Sequence, residues 1–195
     1  MILIIKGDDI ISATNRGAIR NQADAYYTPI TVIDNLLDYH SIKSGGVLEP
    51  SAGCGNFAKA IKDRGYNNHI TSLELRDEEQ EKLLIHSDEV IITDFLKWST
   101  DDKYKTIIGN PPYSLALEFM EKCFEIADKD TEIIMLLRTA FLESKKRYEF
   151  WQQHPLSKLY VLSQRPSFLQ NGKSDATSYS WFIWDNSGKQ EIKVI

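Results

Sequence analysis

The chain of 195 residues is 42% apolar and 26% charged, a composition that fits a soluble globular protein large enough to bury a core. Its 28 Asp and Glu outnumber 23 Lys and Arg, for a formal charge of −5, which excludes a dedicated polyanion binder whose affinity rests on an overall basic surface. The opening MILIIKGDD is too short an apolar run for a signal peptide or a membrane span. Two distant cysteines (Cys54, Cys123) and four scattered histidines (His40, His69, His86, His154) leave no metal-ligand spacing, so a cytoplasmic protein with reduced cysteines and no metal is expected.

Residues 1–25 carry no readable period and are assigned only as an N-terminal arm. The stretch YYTPITVIDNLLDYH (26–40) predicts a helix with Thr28 as its N-cap and Pro29 at its first position, because a hydroxyl can accept an orphan N–H and proline lacks one. Its apolar stripe is Ile30, Ile33, Leu36 and Leu37. Strand-like runs follow at 47–51, 69–75, 90–94, 106–109, 132–138, 159–164 and 179–184. Amphipathic stretches such as NFAKAIKDRG, RDEEQEKLLI, LALEFMEKCFEIAD and KKRYEFWQQH lie between most of them. Strand alternating with helix predicts a mostly parallel sheet covered on both faces. The last two runs are joined by PSFLQNGKSDATS, which has no helical period and contains Asn171-Gly172, so a hairpin and one antiparallel strand near the sheet edge are expected. With no repeat and no linker, residues 1–195 read as one domain.

Four strand ends carry polar or turn elements. The first runs into EPSAGCGNF (49–57), where Gly53 and Gly55 let backbone approach a ligand at the start of a helix. The second ends at Glu74, 21 residues beyond Gly53, the spacing at which nucleotide-binding α/β folds present a carboxylate to ribose hydroxyls. Its alternative is the first acid of a solvated helix face. The third ends in Asp94-Phe95 and the fourth in Asn110-Pro111-Pro112-Tyr113. Ligands of open α/β sheets bind outside the carboxyl ends of strands, so these elements converge on one crevice.

With these motifs the chain resembles the class I S-adenosylmethionine-dependent methyltransferases, and more closely the amino-methylating, adenine-specific DNA methyltransferases in their gamma arrangement. The resemblance is carried by YYTP (26–29), EPSAGCGNF, LEL around Glu74, TDF (93–95) and GNPPY (109–113). It implies a Rossmann-like fold, a seven-stranded sheet in this case, and S-adenosyl-L-methionine as cofactor. It further implies a cofactor site built from Tyr27, Thr28, Pro29, Glu49, Pro50, Ala52, Gly53, Gly55, Glu74, Leu75, Asp94, Phe95 and Asn110. Within it, Thr28, Pro29 and the glycine turn border the methionine end, Glu74 holds the ribose, and Asp94 with Phe95 meets the adenine ring.

The fourth strand end suggests a mechanism for methylating the 6-amino group of adenine in DNA. An exocyclic amino group is a poor nucleophile because its lone pair is delocalised into the ring. The Asn110 side-chain oxygen and the Pro111 carbonyl can accept its two hydrogens and aim the lone pair, Pro112 stiffens the turn, and Tyr113 stacks on the flipped base. Phe168 is the candidate for the second stacking face, where related enzymes carry an aromatic; its alternative is a core plug. Other readings are methylation of a glutamine amide, methylation of RNA adenine, or a cofactor-binding subunit of a larger complex. Gamma-type DNA enzymes usually continue into a target-recognition domain, and none is expected from this sequence, so either weak or relaxed DNA binding alone, or selection of the nucleic acid substrate through self-association or a separate specificity subunit, is expected. Arg138 and the run Lys145, Lys146, Arg147 are the candidate polynucleotide contacts, the alternative for the run being a solvated helix start.

Overall fold

In the computed structural model, residues 27–168 and 175–195 are described. The arm at 1–25, Tyr26 and the Asn171-Gly172 turn lie outside the described residues. One sheet organises the rest. Its strands are β1 (Val47–Glu49), β2 (Ile70–Glu74), β3 (Glu89–Ile92), β4 (Thr106–Gly109), β5 (Glu132–Arg138), β6 (Lys158–Val161), β7 (Tyr179–Trp184) and β8 (Glu191–Val194). Their spatial order is β3-β2-β1-β4-β5-β7-β6-β8. Pairing is parallel throughout except that β7 runs antiparallel to both β5 and β6.

The expected single antiparallel strand is therefore present, between β5 and β6. The strand count is eight rather than seven, because EIKV forms β8 beside β6. That strand escapes prediction for a physical reason: its residues alternate between partly covered and exposed, so no apolar run announces it. Other boundaries shift as well, with β2 at Ile70–Glu74, β3 at Glu89–Ile92 and β6 at Lys158–Val161 against the expected 69–75, 90–94 and 159–164. β1 stops at Glu49, where Pro50 removes the donor a ladder needs. The segment 76–85 is a 3-10 turn (Asp77–Glu79) running into the short helix α3 (Gln80–Leu83). The expected cap of α1 (Ile30–Tyr39) is Pro29 instead of Thr28; the Pro29 carbonyl accepts from Val32 and Ile33, whereas the Thr28 hydroxyl is engaged elsewhere.

The sheet is buried on both faces because its central strands β4, β5 and β7 are apolar at most positions, and successive side chains point to opposite sides. In β5, Ile134 and Leu136 join α1, α2 (Asn56–Asp63), Trp181 and Ile183 in one cluster. Ile133, Met135 and Leu137 join α4 (Ala116–Ile126), α5 (Tyr148–Gln153), Phe182 and Trp184 in the other. Each large apolar side chain so buried contributes roughly 1.5–3 kcal/mol relative to exposure. Strand β7 thus feeds both clusters, and the parallel strands bring their carboxyl ends to one rim.

Candidate active site

The rim begins at the loop after β1. Its two glycines adopt left-handed backbone, Gly53 with φ 57° and Gly55 with φ 84°, a conformation that a side chain disfavours. A Cβ on Gly53 would stand 3.1 Å from the Tyr27 ring. The loop is tied to β2 twice: the Ala52 N–H donates to the Leu73 carbonyl at 2.8 Å, and the Gly53 N–H donates to Glu74 Oε2 at 2.7 Å. Glu74 is 6% exposed, and its other oxygen accepts from the Arg76 backbone N–H at 3.0 Å and from Arg76 Nε at 2.8 Å. Its position at the end of β2 with a carboxylate bound to the glycine turn argues against the helix-face alternative.

A polar cluster covers this turn. The Tyr27 hydroxyl donates to the Glu79 carboxylate, the Arg76 guanidinium lies 5.7 Å from the centre of the Tyr27 ring, and Lys82 pairs with Glu79 at 2.9 Å. Burial and the Glu79 carboxylate together push the Tyr27 phenol up. The Glu74 hydrogen bond pushes the Arg76 guanidinium higher still, so it stays charged.

The Asn-Pro-Pro-Tyr turn after β4 is fastened to the same loop. Ser51 Oγ donates to the Asn110 carbonyl at 3.2 Å. Asn110 Nδ2 donates to Thr28 Oγ1 at 3.0 Å, and Asn56 Nδ2 donates to the Thr28 carbonyl at 2.8 Å. With its NH2 group directed at Thr28, the side-chain oxygen of Asn110 is buried and has no hydrogen-bond partner among the described residues. Glu49 presents a second such atom. It is 1% exposed, its carboxyl is approached by Ser72 Oγ at 3.5 Å and by the Ala58 N–H, and its Oε1 has no partner among the described residues. Burial first, and then the Glu74 charge, hold the Glu49 carboxyl well above the ordinary carboxylate range. Between them is a cavity of about 20 Å³ lined by Tyr27, Thr28, Glu49, Gly53 and Asn110, room for about one water.

Other expected residues are placed differently. Leu75 is exposed at the carboxyl end of β2, and Asp94 is partly exposed, accepting from the Leu96 N–H at 3.1 Å. Phe95 is 2% exposed and packs on Phe119 with ring centres 5.1 Å apart, so its ring belongs to the core and offers the crevice no face. Tyr113 meets Tyr179 at 5.3 Å and Phe168 edge-on at 6.3 Å, and burial holds its phenol well above its usual value. Phe168 is 8% exposed and sits 5.1 Å from Tyr179. It is brought to Tyr113, but as a member of the apolar cluster, which favours the core-plug alternative. Arg147 donates to the carbonyls of Ala140, Phe141 and Glu143, so it caps a loop rather than facing a polyanion.

Sequence reasoning missed Ser51, Asn56, Arg76 and Glu79. Asn56 and Ser51 flank the glycines and could have been found as polar neighbours of the turn. Nothing in the acidic run after β2 distinguishes Glu79 from its exposed neighbours. Among the described residues, no group of His, Cys, Asp and Glu is placed to hold a metal, and no helix is long and apolar enough to cross a membrane.

The residues fit an S-adenosylmethionine site. A carboxylate at the end of β2 faces a glycine turn that a Cβ would fill, and two buried oxygen atoms lack donors at the rim. Comparison with known proteins agrees. The sequence profile of the family described as ribosomal RNA adenine dimethylase matches residues 24–164. The Type II methyltransferase M.CvrRI of Paramecium bursaria Chlorella virus XZ-6E is 27% identical, over 65% of this chain and 39% of its own length. The Type II methyltransferase M.HincII of Haemophilus influenzae is 32% identical, over 45% of this chain and 16% of its own. The chain thus spans less than half the length of these curated relatives. Among solved structures, a Listeria monocytogenes protein assigned to the class I S-adenosylmethionine-dependent methyltransferases shares the fold with a TM-score of 0.65 at 13% identity, covering 92% of this chain and 68% of that one. The 23S rRNA methyltransferase ErmE does so with a TM-score of 0.57 at 16% identity, covering 85% and 71%. The chain belongs to the ribosomal RNA adenine dimethylase family, within the class I methyltransferases that use S-adenosyl-L-methionine.

Proposed function

We propose that this domain transfers a methyl group to the exocyclic 6-amino group of adenine in DNA. The observation that carries the reading is the Asn110 amide. Thr28 holds its NH2 group, and its buried oxygen has no donor among the described residues. An unpaired buried acceptor is costly unless a substrate donor fills it.

S-adenosylmethionine, when bound, supplies the methyl group on an electron-poor sulfonium. Glu74 would hold the ribose hydroxyls, using the acceptor capacity left on the oxygen that already binds the Gly53 N–H. The unpartnered Glu49 oxygen would take a donor from the methionine end. At the reacting centre, Asn110 Oδ1 and the Pro111 carbonyl hold the two amino hydrogens, which draws the lone pair out of the ring. The two prolines keep this pair of acceptors rigid, so alignment is set before the substrate arrives. Tyr113 supplies a stacking face for the extruded base. Selection of the target is assigned to a second copy or a separate specificity subunit, since the chain carries an acidic excess.

The type II methyltransferases among its relatives favour DNA. The family match favours the second reading, adenine in RNA. Incubation with labelled cofactor and either DNA or RNA, followed by mass spectrometry of the nucleosides, separates them: 6-methyladenine in DNA is expected, and label in RNA alone would refute the DNA reading. Glu74→Ala should weaken cofactor binding by about 1.5–3 kcal/mol, measured by calorimetry, because a charged acceptor is lost.

A further inference from the structure

Arg138 is the last residue of β5 and stands at the rim beside the Asn-Pro-Pro-Tyr turn. Its guanidinium lies 4.9 Å from the centre of the Tyr113 ring. Across the β5–β7 ladder it is opposite Tyr179, whose hydroxyl donates to Asp175 at 3.0 Å. The arginines that form ion pairs among the described residues are Arg64 and Arg76, and Arg147 is bound to backbone carbonyls. Arg138 is exposed; its guanidinium lies over the Tyr113 ring, donates to the Tyr179 hydroxyl and is drawn to the Asp175 charge, with its remaining N–H groups toward solvent.

One ring face holds one partner. A base stacked on Tyr113 at van der Waals distance, roughly 3.5 Å between planes, would occupy the volume that the guanidinium fills. A cation–π contact and one hydrogen bond to a neutral hydroxyl hold the guanidinium weakly enough to be exchanged for a phosphate. Its release leaves a planar, permanently charged fork on a flexible stem at the mouth of the site, suited to a phosphodiester oxygen pair.

We propose that Arg138 is a placeholder on the base site: it covers Tyr113 in the free protein and passes to a phosphate beside the extruded nucleotide when adenine takes its place on the ring. This rests on the proposed function, in which Tyr113 stacks the target base. The exchange gives ligands with and without phosphate opposite responses. A bare nucleoside must displace Arg138 and gains nothing in return, whereas a polynucleotide gains the phosphate contact.

The test compares wild type with Arg138→Ala in the full chain with cofactor. It measures adenosine as an inhibitor of methyl transfer, and the KM for DNA between 50 and 200 mM salt, a range over which about one lost phosphate contact is readable. For Arg138→Ala, adenosine should bind several-fold tighter, the DNA KM should rise about tenfold, and the logarithmic salt slope should fall by about one. Arg138→Lys is the second variant: it should retain the salt slope but also bind adenosine more tightly, since an ammonium does not lie flat on a ring. Weakening of both ligands together, or no change in either, overturns the placeholder. Wild type that binds cofactor but methylates no DNA overturns the reading beneath it, and that result is read before any variant is compared.

Discussion

Two glutamates on the same sheet, each 1% exposed, stand at its opposite ends. Glu132 opens β5. One of its oxygens accepts from the Lys43 N–H at 2.7 Å and Thr106 Oγ1 at 2.8 Å, and the other lies 3.1 Å from His40 Nε2, whose ring approaches Lys158 at 3.5 Å. Glu49 closes β1 with a long bond from Ser72, the Ala58 N–H near its carboxyl, and one oxygen unpartnered among the described residues. Burial alone does not separate them. What separates them is satisfaction: a buried carboxyl with donors on both oxygens fastens loops to strands, and one with an oxygen left over is costly to the free protein and leaves an acceptor at the rim. The amino end of β5 is closed by its own donors, whereas the carboxyl end of β1 keeps a buried acceptor unpaired among the described residues.

The comparison breaks if substitutions at the two ends have the same kind of effect. The largest change is expected for Asn110→Ala. It should lower single-turnover methyl transfer by about a hundredfold or more while cofactor affinity, read by calorimetry, changes less than tenfold, because the acceptor acts chiefly in the transition state. A near wild-type rate would remove Asn110 from the mechanism. Next, Glu132→Gln should destabilise the fold by about 2–3 kcal/mol in urea unfolding, since donors would be left facing a neutral amide. Methyl transfer per folded molecule should be unchanged. Loss of transfer without loss of stability would place function at the wrong end.

The smallest effect sharpens the contrast through pH. The Glu49 carboxyl titrates higher in the folded protein than the ordinary value of 4.5. Its contribution to stability is therefore fully present below that value and is lost as pH rises through the folded pKa, because the unfolded chain ionises first. Glu49→Gln should flatten this decline and leave the free protein at pH 7 as stable as wild type or about 1 kcal/mol more so, by thermal unfolding at several pH values. Its cofactor affinity should fall about tenfold, the loss of one charge-assisted hydrogen bond. A variant less stable at neutral pH, with cofactor binding intact, would make Glu49 as structural as Glu132.

Most of the sheet was legible because burial wrote it into composition. The runs TIIG, EIIMLLR and YSWFIW are apolar at nearly every position and match β4, β5 and β7 to the residue. The glycine turn, Glu74 and the Asn-Pro-Pro-Tyr turn were legible because each needs residue types that regular structure avoids. Three features were not. Strand β8 is half-covered and polar at alternate positions, so it resembles a loop. Thr28 reads as a cap by local rules, and only the approach of Asn110 from 82 positions away engages its hydroxyl. Phe95 follows a polar strand end, yet its ring turns back under the sheet to Phe119 and Trp98. In each case a partner distant in sequence decided the outcome, and local patterning carries no record of it.

The placement of β7 between β5 and β6 also orders events on the ribosome. Until residues 179–184 have left the exit tunnel, β5 remains an open edge, and β6 has neither of its neighbours. Strand β8 in turn bonds to β6. Both faces of the core wait for the same segment, since Trp181 and Ile183 complete one and Phe182 and Trp184 the other. The nascent chain therefore exposes the apolar rim of β5, a template for wrong pairing, from the time residues 132–138 emerge until residues 179–184 follow. Closure is one late step of long-range pairing, so chaperone protection matters most just before β7 emerges.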